Sequence, residues 1–276
     1  MTIIEADGNE VIPVEVDWVL ILAGQRYSVV ITANQPVGNY WIRSLRVQLG
    51  VPETFEGGQN MAILRYQGAP DQDPTSVPGP YELSFDEGNL HPLIHQGVPG
   101  IPEIGGADVN IQLMPGTTSE GYFTLNGVTY VHPTVPVLLQ MLSGAVHPSQ
   151  LLPNGSVYEL PPNAVVELSF PNPLAAPGIP VRALYVNRYF MLISSRRFST
   201  LCICMAYVVH FSKLSLCVSN RTRLQHQFDV VRIAGSNTTN FVNPVRRDVV
   251  SIGTSPTDNV TIRFVTNNPG PWFLHW

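Results

Sequence analysis

The sequence predicts an all-β protein, and three observations carry that prediction. Twenty-five prolines and 22 glycines punctuate 276 residues, a frequency that suits short strands and turns better than helices. Valine, isoleucine, threonine and aromatic residues gather in short runs, several with the period-two alternation of a half-buried strand. Turn residues separate those runs at the intervals of a β-sandwich or barrel.

Taken in order, Thr2-Ile3-Ile4-Glu5 reads as a strand running into an Asp7-Gly8-Asn9 turn, and Trp18 to Leu22 reads as a second strand. Tyr27, Val29 and Ile31 alternate, and Tyr40 to Arg43 and Met61 to Tyr66 continue the pattern. A proline-rich run from Gly68 to Pro80 reads as a connector. Strands resume at Val109 to Leu113, Gly121 to Leu125 and Val165 to Phe170. Pro136 to Gly144 fits a short helix closed by its glycine. Phe228 to Arg232, Asp248 to Ile252 and Val260 to Val265 complete the strand set.

The length allows one large or two ordinary domains with a sizeable core. The apolar fraction is 44% and the charged fraction 13%, low against about 25% for an average domain. A net charge of −5 gives no electrostatic reason to expect a nucleic acid partner.

One stretch departs from the rest. Residues 181–225 contain no Asp, Glu, Gly or Pro, yet hold seven of the 15 basic residues and all three cysteines, Cys202, Cys204 and Cys217. The remaining 231 residues therefore carry 20 acids and 8 bases, a net −12. Val181-Arg182 can be encoded by a splice-donor sequence and Leu224-Gln225 by an acceptor. The stretch reads as translated intron, a non-native insertion expected to pack loosely.

Strings outside this stretch resemble basidiomycete laccases of the multicopper oxidase family. They include Ala23-Gly24-Gln25-Arg26-Tyr27-Ser28, Ala33 to Arg43, Pro133 to Gln140, Asn243-Pro244-Val245-Arg246-Arg247-Asp248-Val249-Val250 and Asn268 to His275. The resemblance implies cupredoxin-like Greek-key β-sandwich domains. Residues 1–68 correspond to the C-terminal part of the second domain, 69–100 to a linker, and 101–276 to an incomplete third domain interrupted by 181–225. It also implies the family reaction, one-electron oxidation of phenols coupled to reduction of dioxygen to water by four coppers. Blue copper needs two imidazoles and a thiolate, and the trinuclear cluster needs eight further histidines.

Mapped onto that pattern, the ligand motifs are nearly all missing. Both first-domain His-x-His pairs would precede Met1. Ala175 to Pro180 should lead into His-Pro-x-His-x-His-Gly, but Val181 follows, and the pattern resumes at His226, which matches a non-ligand histidine. His275 matches the first residue of His-Cys-His, a cluster ligand, and Trp276 stands at the thiolate position. Copper binding is therefore expected to fail in the chain as written, with His275 the one surviving metal position. Phe55, Phe123 and Tyr130 match positions that line the family's phenol pocket, so phenolic molecules are the implied substrates; for these aromatics, core packing is the competing reading. A non-catalytic β-sandwich binding module is the alternative function.

Other features read as structural. His91-Pro92-Leu93-Ile94-His95 has the wrong spacing for the copper motif, and Cys202-Ile203-Cys204 lacks a partner pair for zinc. His132, His147 and His210 lack ligand-spaced partners. The uncharged run from Phe198 to Ser212 falls short of the ~20 residues that span a bilayer, so membrane association is a third and weaker reading than aggregation. Sequons at Asn154, Asn237 and Asn259 (with another at Asn220 inside the aberrant stretch) make glycans possible. The family is secreted, whereas the first residues read as a strand, with no signal peptide.

Overall fold

In a computed structural model the described residues are 1–21, 25–43, 61–76, 82–94, 96–131, 133–145, 147–152, 154–172, 188–195, 201–208, 227–253, 255–268 and 272–275. They form strands, two short helices and one 3-10 turn, as the all-β expectation requires. The first hairpin joins β1 (Thr2–Ala6) to β2 (Asn9–Glu15). Asp7 and Gly8 between them both have positive φ, 48° and 85°, which matches a hairpin turn to the twist of its strands. β3 (Tyr27–Val30) completes a sheet of order β2-β1-β3.

The chain divides into two compact units. The first comprises Met1–Thr2, Glu15–Leu20 and Val29–Phe85. Within it β4 (Asn39–Arg43) pairs antiparallel with β5 (Met61–Arg65). Three alternate side chains of β4 clip the proline-rich segment that follows. Asn39 Nδ2 donates to Pro70 O and Gln72 O, Trp41 Nε1 to Pro74 O at 3.0 Å, and Arg43 Nη2 to Ser76 O at 2.6 Å. Proline has no N–H to offer a ladder, so side-chain donors take the strap's carbonyls instead. The strand expected at Trp18 to Leu22 does not form over its described part, Trp18 to Ile21. Asp17 holds this segment differently, its carboxylate accepting from the backbone N–H of Glu82 and Leu83, both at 2.8 Å. Those bonds hold the Asp17 carboxyl below its ordinary range, the Leu83 bond most of all.

The second unit comprises Ile3–Val14, Ile21–Ser28 and Asp86–Trp276. Its central sheet has the order β14-β13-β15-β10-β6, from Arg246–Arg247, Phe228–Arg232, Asn259–Val265, Val165–Pro171 and Val109–Gln112. β10 and β15 run antiparallel, with Val166 opposite Phe264, Leu168 opposite Ile262 and Phe170 opposite Val260. These six side chains are buried and make one face of the sheet apolar. The other face carries Glu167, Asp229, Thr261 and Arg263, equally buried. Side chains alternate across a strand, so one pair of strands serves both a hydrophobic core and a polar one. The strand expected at Asp248 to Ile252 is replaced by the two-residue β14. Asp248 is engaged by Arg26, and the Val249 N–H is taken by the Asp7 carboxylate at 3.3 Å.

A short antiparallel pair, β7 (Pro115–Thr117) and β8 (Phe123–Leu125), follows β6. Helix α1 (Val137–Leu142) falls within the expected helix and is followed by Gly144 at φ 104°. With α2 (Pro148–Leu151) it frames a small core of Tyr130, Val137, Leu151 and Leu152. A second sheet, of order β11-β16-β12-β9, joins Arg188–Ser195, Trp272–His275, Leu201–Val208 and Val157–Leu160. Two pieces of the aberrant stretch thus pair with each other and with β9 and β16 instead of looping away. The rest of 181–225 lies outside the described residues. No helix among the described residues is long and apolar enough to cross a membrane.

Candidate functional site

A buried charged cluster and a cleft beside it lie in the second unit. The cluster centres on Arg247 and Asp7, whose side chains are both 0% exposed. Asp7 leaves the β1–β2 turn with its carboxylate pointing inward. Its Oδ1 accepts from Arg26 N at 2.8 Å, and its Oδ2 from Arg247 Nε at 2.9 Å. Arg247 Nη1 donates to Tyr27 OH at 2.9 Å and to Glu87 Oε1. Arg26 forks onto Asp248 at 2.6 and 2.8 Å, the bidentate geometry that a guanidinium favours.

Burial sets the charge states. It pushes the Tyr27 phenol up to about 12, against the pull of Arg247. It raises the Glu87 carboxyl as well, with Arg247 again opposing. Burial alone would lower Arg247, but the hydrogen bond to Asp7 and the charges of Glu87 and Asp7 more than offset it and keep it cationic. On the neighbouring strand, burial lifts Asp229 to about 6 despite Arg246 beside it.

The cleft has a volume of about 500 Å³ and lies between the 3-10 turn Glu87–Asn89 and residues 233–240. Asp86 caps the turn, accepting from Gly88 N at 2.8 Å. Glu87 on its wall is committed to Arg247. The Asn240 side chain is committed to Val242 and Asn243, which leaves the Asp86 carboxylate, the amides of Asn89 and Asn237 and the hydroxyls of Ser236 and Thr238 as the polar lining, beside apolar Leu90 and Ile233. Among the described residues no cationic side chain lines the cleft and two carboxylates, Asp86 and Glu87, do, so it fits a neutral polar group better than an anion.

The positions expected from the sequence fall in separate elements. Phe55 lies outside the described residues. Phe123 is on β8, opposite Thr117. Tyr130 is 6% exposed, inside the small core against α1 and α2. His275 is on β16, its backbone opposite Phe190 of the aberrant stretch. Among the described residues no group of three or more His, Cys, Asp or Glu converges on a point that could hold a metal. His91 instead anchors its loop: its Nδ1 lies 2.9 Å from Asn243 O, and its carbonyl accepts from Ile12 N at 2.8 Å. His95, His132, His210 and His226 lie outside the described residues. Among the described residues, nothing fits a four-copper centre. Sequence reasoning missed the Asp7–Arg247–Glu87 cluster; its signal was the Asp7-Gly8 turn and the pair of arginines in an acid-rich background.

Two family profiles described as multicopper oxidase match the chain, over residues 1–69 and 225–275. A laccase from Phlebia radiata is 45% identical over 278 aligned residues, covering 100% of this chain and 45% of its own length. Laccase-2 of Pleurotus ostreatus is 46% identical, with 44% of its own length covered. The chain thus spans a little under half the length of the curated relatives it matches. Among solved structures, laccase from Botrytis aclada superposes with a TM-score of 0.59 at 20% identity, over 99% of this chain and 44% of that one. That likeness is one of fold, and it agrees with the cupredoxin-like expectation.

Proposed function

The chain is a partial-length homologue of the basidiomycete laccases in the multicopper oxidase family, and from that premise we propose a laccase scaffold whose copper centre has been lost. The family reaction is one-electron oxidation of phenols with reduction of dioxygen to water, for which copper supplies the electron-transfer chemistry. In this chain three of the family's ligand histidines are replaced internally. Residues 181–225 stand between Pro180 and His226, where the family has His-Pro-x-His-x-His-Gly. That interruption carries the reading, and it holds whatever polypeptide lies beyond either end. The second family match begins at residue 225, where the interruption closes, which supports it.

The remaining residues do scaffold work. Arg247, Asp7 and Glu87 tie the first hairpin to β14. Residues 1–68 act as part of one cupredoxin domain and 101–276 as most of another, joined through 69–100. Phe55, Phe123 and Tyr130 correspond to the phenol contacts of the family pocket, with core packing the competing role, which the burial of Tyr130 against Val137, Leu151 and Leu152 favours for that residue. Secretion follows from the family, and Asn154, Asn237 and Asn259 are the candidate glycan acceptors. Oxygen uptake by the purified, copper-supplemented chain with a simple phenol tests the reading. No copper-dependent uptake above background is expected; sustained turnover would overturn it.

A further inference from the structure

We propose that Asn237 is the acceptor of an N-linked glycan whose first sugar lies along the cleft between Glu87–Asn89 and residues 233–240. The inference rests on the secretory reading above and adds a defined attachment point and resting surface. Asn237 opens the sequon Asn237-Thr238-Thr239, is exposed, and lines the cleft. Its neighbours are pinned on both sides. Gly235 N donates to Asp258 Oδ1 at 2.9 Å, Thr238 N donates to Ser236 Oγ at 3.1 Å, and Asn240 N donates to Val231 O at 2.7 Å. The loop therefore presents Asn237 from a fixed backbone.

The other described sequons offer less. Ser156, the hydroxyl residue of the Asn154 sequon, is 0% exposed. Asn259 sits in β15 opposite Pro171, with its amide oxygen buried. In the modification itself, Asn237 Nδ2 displaces the diphosphate of a lipid-linked oligosaccharide from the anomeric carbon. The C–N bond forms, the C–O bond breaks, the diphosphate leaves with the electron pair, and the transferase takes the amide proton. The cleft, at about 500 Å³, lies within the ~300–1,000 Å³ of small-molecule sites. The Asn89 amide and the hydroxyls of Ser236 and Thr238 in its lining match the hydrogen-bonding of a neutral hexosamine.

The test expresses the full chain in a eukaryotic host, behind a cleavable secretion leader that carries its own reporter sequon. Peptides are released with an amidase in ¹⁸O-water and weighed. The expected result is an ¹⁸O-labelled aspartate at position 237 and, on the gel, loss of one glycan's mass in Asn237→Gln and in Thr239→Ala. Amide hydrogen exchange of residues 86–90 should be slower in the glycosylated chain than in either variant. A modified reporter with a bare Asn237 overturns the site; a glycan at Asn237 without protection of residues 86–90 overturns the resting surface. Secretion of the chain without the added leader, measured separately, bears on the secretory reading alone.

Discussion

Glu167 and Arg263 face each other across β10 and β15, with Arg263 Nε donating to Glu167 Oε2 at 2.7 Å and both side chains almost wholly shut off from water. The pair also holds a loop. Arg263 donates to the carbonyls of Pro99, Ile101 and Glu103, while Glu167 accepts from Gly105 N at 2.9 Å. The guanidinium lies 4.7 Å from the centre of the Phe241 ring. Gly100 is required where this loop closes: its φ is 84°, and a Cβ there would meet Gly106 O at 2.8 Å.

Removing one partner of this pair strands a buried charge. Glu167→Ala is expected to destabilise the second unit by about 3–5 kcal/mol. The double variant Glu167→Leu/Arg263→Met should lose less, because it removes both charges. Urea unfolding of the three proteins measures the order; a double variant worse than Glu167→Ala contradicts it.

Asp7 combines a left-handed backbone with a buried carboxylate. Asp7→Asn keeps a residue that tolerates positive φ and can still accept from Arg26 N, but it loses the charge opposite Arg247. Asp7→Ala loses both. Unfolding free energy from urea titration should fall in the order wild type, Asp7→Asn, Asp7→Ala, with the alanine variant down by about 3 kcal/mol. Equal losses for the two variants would argue against the backbone contribution.

Asp229 gives a pH dependence. Its carboxyl is raised to about 6 by burial, with Arg246 opposing, and its side chain is 7% exposed. The folded chain therefore holds the proton more tightly than the unfolded one. The stabilisation is complete below the ordinary carboxylate value and is lost as pH rises through about 6. At ~1.4 kcal/mol per unit the full change is on the order of 3 kcal/mol. Asp229→Asn should flatten the difference between urea midpoints at pH 4 and pH 7.5; an unchanged difference contradicts the assignment.

In the first unit, Trp41→Phe keeps a ring but removes the bond to Pro74 O. A loss of about 1 kcal/mol is expected, with faster protease cleavage within residues 70–76. Cleavage at the wild-type rate would show that the strap does not depend on this donor.

The strands legible in the sequence were those whose apolar residues alternate or run on, such as Val165 to Phe170 and Val260 to Val265. Their buried charges were not legible, because Glu167 and Arg263 lie far apart in the chain and meet only through the register of β10 and β15. The strand expected at Asp248 gave way to side-chain capping, and nothing in the structure explains the one that fails at Trp18. The Asp7 carboxylate takes the Val249 N–H, so local geometry at Asp248 follows side-chain capping instead of hydrophobic pattern. The cleft was also invisible, since its walls, Glu87–Asn89 and residues 233–240, are loops without periodicity.

The internal interruption makes its own prediction at the level of RNA. Most transcripts sequenced across codons 181–225 should lack that stretch. Retention in frame in most transcripts would contradict its reading as intron.

Copper content tests the central claim most directly. After copper loading and exhaustive dialysis, the purified chain should retain well under one copper per molecule and show no intense blue absorption. Stoichiometric copper together with the blue band of a copper–thiolate bond would contradict the account.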